Sequence, residues 1–92
     1  MPATWRKPWR YATVLDFGPG QTAQLRCARC GRAIGRFLVT LTDSLRARHN
    51  LGLGCAAVEI DWPEPTPASA APVASRLRKL AGKGVIPMGE LS

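Results

Sequence analysis

Three cysteines and a single histidine constrain this chain more than any other feature. Cys27-Ala28-Arg29-Cys30 runs into Gly31-Arg32, His49 follows after 18 residues, and Cys55 after five more. Zinc takes four nitrogen, sulfur or oxygen ligands in a tetrahedron. A Cys-x2-Cys turn delivers two thiolates from one knuckle, with the amides beyond the first cysteine aimed at sulfur. A glycine just after it lets the chain turn away without a Cβ clash. The spacing therefore predicts a zinc ion held by Cys27, Cys30, His49 and Cys55. The intervening residues suffice for a strand and a short helix that return His49 and Cys55 to the metal. The His-x5-Cys arm is looser than the first pair, and Asp43 or an acid near residues 59–61 can stand in for His49. Two other readings stay open. Cys55 can be a buried thiol beside an accidental Cys-x2-Cys, or the pair can be a redox dithiol, although no thioredoxin-like βαβ pattern surrounds it.

A metal also answers a problem of size. The chain has 92 residues, and a domain this small buries only roughly 60–65% of the surface its unfolded form exposes. A structural zinc contributes on the order of 10 kcal/mol to such a fold. The length excludes a two-domain enzyme and a Rossmann or barrel scaffold. With 9 glycines and 8 prolines, long helices have little room.

Charge is distributed unevenly. Of 13 basic and 6 acidic residues, nine basic and two acidic fall in residues 1–55; residues 56–72 carry three acids and no base. The tail, residues 73–92, is basic again through Arg76, Arg78, Lys79 and Lys83. Pro63 to Pro72 reads as an extended, semi-rigid spacer, because each proline fixes φ and removes a donor. The expected organisation is a zinc-binding module over 1–62, a Pro/Ala-rich linker over 63–72 and a basic amphipathic tail over 73–92.

Within the module, Tyr11–Phe17 and Thr22–Cys27 flank Gly18-Pro19-Gly20 and read as a hairpin. Gly35–Thr42 is a third strand candidate, rich in β-branched and aromatic residues. Thr42 or Asp43 can cap a short helix over Ser44–His49. Cys55–Ile60 suits a helix or a strand. In the tail, Val73, Leu77 and Leu80 have helical spacing, Gly82 and Gly84 end that helix, and Val85–Met88 is apolar without periodicity. The expected fold is a small α+β structure: zinc-stabilised hairpin, knuckle and short helix, with a basic C-terminal helix.

Cys27-x2-Cys30-Gly31-Arg32, with Thr42-Asp43-Ser44 and Gly52-Leu53-Gly54-Cys55, resembles short treble-clef-type zinc modules of actinobacterial and phage proteins of unknown function. The first half is also similar to the zinc finger of DksA/TraR-type regulators, where Cys-x2-Cys-Gly is followed by an Ile and an Arg, here Ile34 and Arg36. The resemblance covers roughly residues 25–57. The second Cys-x2-Cys and the acidic coiled-coil tip of those regulators are missing, so polymerase regulation is not carried over. What the resemblance implies is a zinc-held scaffold, without an activity.

Catalysis finds little support. There is one histidine, which the zinc reading claims, and no Walker motif; the zinc deaminase order of His-x-Glu before Pro-Cys-x-x-Cys is absent. The expected function is non-enzymatic nucleic-acid binding. Trp5, Trp9 and Tyr11 interleave with Arg6, Lys7 and Arg10, so aromatics can stack on bases while cations meet phosphate. Arg29, Arg32 and Arg36 surround the knuckle, and Arg46 and Arg48 sit on the proposed helix. Ten arginines against three lysines favour bidentate recognition of phosphate or carboxylate. The tryptophans, Trp62 included, can equally pack over a small core. The alternative is a phage- or plasmid-encoded adaptor or inhibitor that docks on an acidic host protein or on a nucleoprotein complex, such as CRISPR or restriction machinery. The Arg-, Ala-, Gly- and Pro-rich composition suits a GC-rich bacterial or phage genome. No apolar run approaches the roughly 20 residues of a membrane span, and the N-terminal basic residues lack the apolar stretch of a secretory signal. The expected location is the cytoplasm, where thiols stay reduced.

Overall fold

The computed structural model describes residues 5–60 and 67–88, with residues 67–69 described as backbone only. Four antiparallel strands form one sheet in the order β3-β2-β1-β4. They are β1 (Tyr11–Asp16), β2 (Phe37–Thr42), β3 (Arg48–Gly52) and β4 (Val85–Pro87). Two helices, α1 (Leu53–Ile60) and α2 (Pro67–Leu80), lie between β3 and β4 in the chain. The small α+β expectation holds at this level.

The period of two along the strands divides the sheet into two unlike faces. Ala12 pairs with Leu41, which pairs in turn with His49; Val14 pairs with Val39, and Val39 with Leu51. Ala12, Val14, Val39, Leu41 and Leu51 are fully buried and share one core with Ala56 of α1, Leu77 of α2 and Ile86 of β4. α1 packs on β2, β3 and α2, while α2 also reaches β1. The alternate residues of β1, Tyr11 and Leu15, are 40% and 45% exposed on the other face.

Several local expectations are corrected. β1 does not pair with Thr22–Cys27 across Gly18-Pro19-Gly20; its hydrogen-bonded neighbours are β2 and β4. Ala12 and Val14 find their partners in the alternating apolar residues of β2, and residues 17–36 become a long excursion at the end of that pair. Ser44–His49 is not a helix. Residues 43–47 turn between β2 and β3, and Arg48 and His49 already belong to β3. Cys55–Ile60 is helical.

The extended spacer expected over 63–72 lies outside the described residues up to 66. From Pro67 the chain is α2, with Pro72 inside it. Proline is tolerated in a first helical turn and costs most in an interior; Pro72 lies past the first turn of α2 and forgoes one helical hydrogen bond, while the alanines around it favour helix. The basic tail is built into the sheet. Gly82, at φ +84°, ends the helix region and donates its amide to the Val14 carbonyl at 3.0 Å. β4 then pairs with β1, placing Ile86 opposite Ala12. Among the described residues, no helix is long and apolar enough to cross a membrane.

Candidate metal centre

The excursion between β1 and β2 closes on itself before it reaches β2. Arg26 bridges Ala33, the Ile34 amide donates to the Leu25 carbonyl at 2.8 Å, and the Cys27 amide donates to the Arg32 carbonyl at 2.8 Å. Gly31, at φ +76°, makes the tip possible and returns its amide to the Cys27 carbonyl at 2.8 Å. Only glycine adopts this left-handed region without a steric cost. The Ala28 amide then donates to the Asn50 carbonyl at 2.7 Å, which docks the knuckle on β3. β3 passes directly into α1, and Cys55 lies in the first turn of that helix.

These three steps bring the sulfur atoms of Cys27, Cys30 and Cys55 within 4.8 Å of one another. Tetrahedral zinc with Zn–S bonds near 2.3 Å sets sulfurs about 3.8 Å apart, so a small closure of the group accommodates the ion. Cys27 is buried, Cys55 half-buried and Cys30 exposed. The electrostatics also suit a cation. Burial raises the Cys27 thiol, but amide donors from Gly52, Cys30 and Arg29 outweigh it, and the net direction is down. Burial pushes Cys55 up to about 11, opposed by the Arg29 guanidinium and reinforced by the neighbouring sulfurs. Three sulfurs this close disfavour joint ionisation in the absence of a positive ion, and a divalent metal reverses that balance. The donor set and its spacing fit a thiophilic metal such as zinc.

Arg29 braces the centre from outside. Its guanidinium lies 3.8 Å from Cys55 Sγ and donates to Glu59 at 2.9 Å. Lys7 Nζ is 3.1 Å from the other Glu59 oxygen. Glu59 follows Cys55 by one helical turn, so this ion-pair group sits on the same side of α1 as the thiol.

The structure does not bring His49 to the sulfurs. Its Nε2 donates to Asp43 Oδ2 at 3.0 Å, and its ring lies edge-on to Trp5 and Trp9, with centroids 5.4 and 5.8 Å away. The reason is register. His49 pairs with Leu41 and so joins the residues of the core face, while the knuckle docks further along β3, at Asn50 and Gly52. Asp43 is occupied as well. It is 2% exposed and accepts from the Leu45 and Ala47 amides at 2.9 Å each, and from the Arg6 amide at 3.4 Å. These bonds, that from His49 foremost, hold its carboxyl down at about 2.

The residues expected to meet nucleic acid fall into three groups. Trp5 and Trp9 pack on each other at 5.1 Å, and Trp9 is buried. Lys7 and Arg29 face Glu59, and Arg36 is paired with Asp16 and lies over the Phe37 ring. Arg32 is exposed near the knuckle, and Arg6, Arg10, Arg46 and Arg48 are exposed at the opposite end of the sheet. That end is held together by backbone bonds: the Arg10 amide to Thr42, and the Ser44 amide to Arg6. Thr42 also pairs with Arg48. The cationic end was hidden in the sequence because residues 6–10 and 46–48 meet only through β1–β2–β3 pairing.

The chain matches no protein-family model, no curated protein and no solved structure.

Proposed function

We propose that this chain is a non-enzymatic, zinc-held module that binds nucleic acid through the arginines at one end of its sheet. Zinc on Cys27, Cys30 and Cys55 would fasten the knuckle to the start of α1. The succession of knuckle, β2–β3 hairpin and helix, with Cys55 in the first helical turn, supports the treble-clef likeness. The non-enzymatic reading is supported by His49, the single histidine of the chain. Its ring is committed to Asp43 and two indoles, away from every thiol.

The observation that carries the nucleic-acid reading is a charge imbalance. Each carboxylate among the described residues is answered internally: Asp16 by Arg36, Asp43 by His49 and three amides, Glu59 by Arg29 and Lys7. Arg6, Arg10, Arg46 and Arg48 are exposed together around the buried Asp43, whose carboxyl is taken up by His49 and backbone amides, and among the described residues none of the four guanidinium groups is ion-paired. Arginine forks suit phosphate oxygens, and a polyanion gains affinity by releasing counterions to such a cluster.

Anisotropy titrations of labelled oligonucleotides at about 50 and 200 mM salt test this. Binding should fall steeply with salt. Arg46→Ala with Arg10→Ala should weaken it uniformly across sequences, while Arg78→Ala with Lys79→Ala on α2 should have a smaller effect. Affinity no tighter than ~100 μM at low salt, weaker than ordinary non-specific binders, rejects the reading. A stoichiometric host protein recovered with such a chain would favour the adaptor alternative.

A further inference from the structure

We infer that the uncovered face of the sheet is a platform for single-stranded nucleic acid, with Tyr11 stacking on a base and Arg48 meeting the backbone. The inference rests on the nucleic-acid reading above and specifies which form of the polymer this chain takes.

Both helices pack on the face that carries Ala12 and Val14. No described element covers the region of the opposite face around Tyr11, Leu15 and Val85, which are 40%, 45% and 64% exposed. Large apolar residues gathered on one open face mark an interaction surface rather than the scattered exposure that any protein shows. The knuckle end differs, for Leu38 is buried there.

The register orders this face into rows. The first row runs Arg48, Thr42, Tyr11, Pro87 across the four strands. Neighbouring strands lie about 4.8 Å apart, which sets Arg48 about 10 Å from Tyr11, and both side chains are exposed. The second row runs Asn50, Thr40, Thr13, Val85; here Thr40 Oγ1 and Asn50 Oδ1 are 2.9 Å apart. A cation and an aromatic ring therefore share one edge of the face, and hydroxyl and amide groups lie beside them.

Three features select a single strand. A ring on a flat sheet offers a stacking surface that any unpaired base can use, whereas bases in a duplex already stack on each other. Tyr11 is paired on both sides, with Thr42 and Pro87, so its backbone is fixed before any ligand arrives. A face of phosphate contacts alone would have no use for the apolar residues. A second copy of the chain fits less well, because burying this face would also bury Arg48 with no described carboxylate on the face to answer it.

The test compares a labelled strand of about 12 nucleotides with its duplex by anisotropy. The single strand should bind more tightly than the duplex. Tyr11→Ala should weaken single-strand binding by roughly five-fold or more and leave duplex binding unchanged, while Tyr11→Phe should restore it. Tyr11→Thr removes the ring but keeps a β-former, and guards against loss of the strand. Metal content and circular dichroism verify that each variant is folded. Equal affinity for both forms with no effect of Tyr11→Ala overturns the platform and leaves the proposed function standing. Binding of neither form removes the proposed function itself. Dimerisation abolished by Leu15→Glu, with oligonucleotide binding intact in that variant, assigns the face to a second copy and overturns the inference.

Discussion

Asp43 joins three parts of the chain that are distant in sequence: the N-terminal segment through the Arg6 amide, the β2–β3 turn through Leu45 and Ala47, and β3 through His49. The turn it closes holds Arg46 at φ +67°, a region that a non-glycine residue enters only at a cost. The carboxyl titrates at about 2 when folded, against an ordinary value of 3.8. A depressed acid favours the native state above its unfolded value, and that contribution disappears as pH falls through the folded one. Stability should therefore drop between about pH 4 and 2, and Asp43→Asn should flatten this part of the profile while lowering stability at neutral pH. Urea midpoints measured at several pH values check it. Asp16, held at about 2 by Arg36, titrates in the same window, so Asp16→Asn is the parallel variant. At the cysteine cluster, the proposed zinc site predicts that Cys27→Ser or Cys55→Ser abolishes equimolar zinc on elemental analysis, whereas His49→Ala keeps it and loosens the turn. The sequence offered Asp43 as a helix cap because an N-cap and an Asx turn use the same bonds. In both, a carboxylate accepts from amides a few residues ahead, and only the chain beyond Ala47 decides between them.

At the scale of elements, what could be read depended on whether a pattern was local. Gly35–Thr42 announced β2 by composition, Cys27–Gly31 announced the knuckle by spacing, and Val73, Leu77 and Leu80 announced the buried side of α2 by period. Leu77 is fully buried, and Val73 and Leu80 pack beside it. β4 was illegible because a strand of three residues has no period to detect. It exists because Ile86 finds Ala12 and the Gly82 amide finds Val14. The pairing of β1 with β2 was illegible because the nearest candidate across Gly18-Pro19-Gly20 had the right punctuation, and only the distant strand had the complementary apolar face. His49 lies apart from the sulfurs for a related reason: spacing counts residues, and the face of β3 on which a ring stands follows from register. Leu77 links α2 to the sheet. Truncating such a side chain removes its transfer free energy and leaves a cavity, so Leu77→Ala should destabilise the fold by about 2–5 kcal/mol on denaturant unfolding. Lys79→Ala, at an exposed position of the same helix, should change much less.

For the whole molecule, two fastenings act on different parts of one sheet. A metal on the cysteine cluster would tie the knuckle to the start of α1, beside β3. α2 and β4 tie the C-terminal residues to β1, at the other edge. The composition suggested that the segment before the prolines folds alone, since it holds all three cysteines. The packing argues otherwise. Without residues 63–92, β1 becomes an edge strand with unpaired backbone groups, and the core around Ala12 and Val14 loses Leu77 of α2 and the neighbouring Ile86 of β4. A domain of this size has only about 5–14 kcal/mol of net stability, and removing two core side chains of this kind takes a large share of it. A metal on the three cysteines would not replace that loss, because the cluster lies near β3 and not over β1. A chain ending at residue 62 should therefore still contain the cysteine pattern yet be poorly soluble or lack a cooperative unfolding transition. Its zinc content should vary with preparation instead of holding at equimolar. Sedimentation, elemental analysis and near-ultraviolet circular dichroism on the truncated and full chains check this. A soluble truncated chain with equimolar zinc and a sharp transition would show that the first 62 residues carry their own core and that α2 and β4 are additions to it.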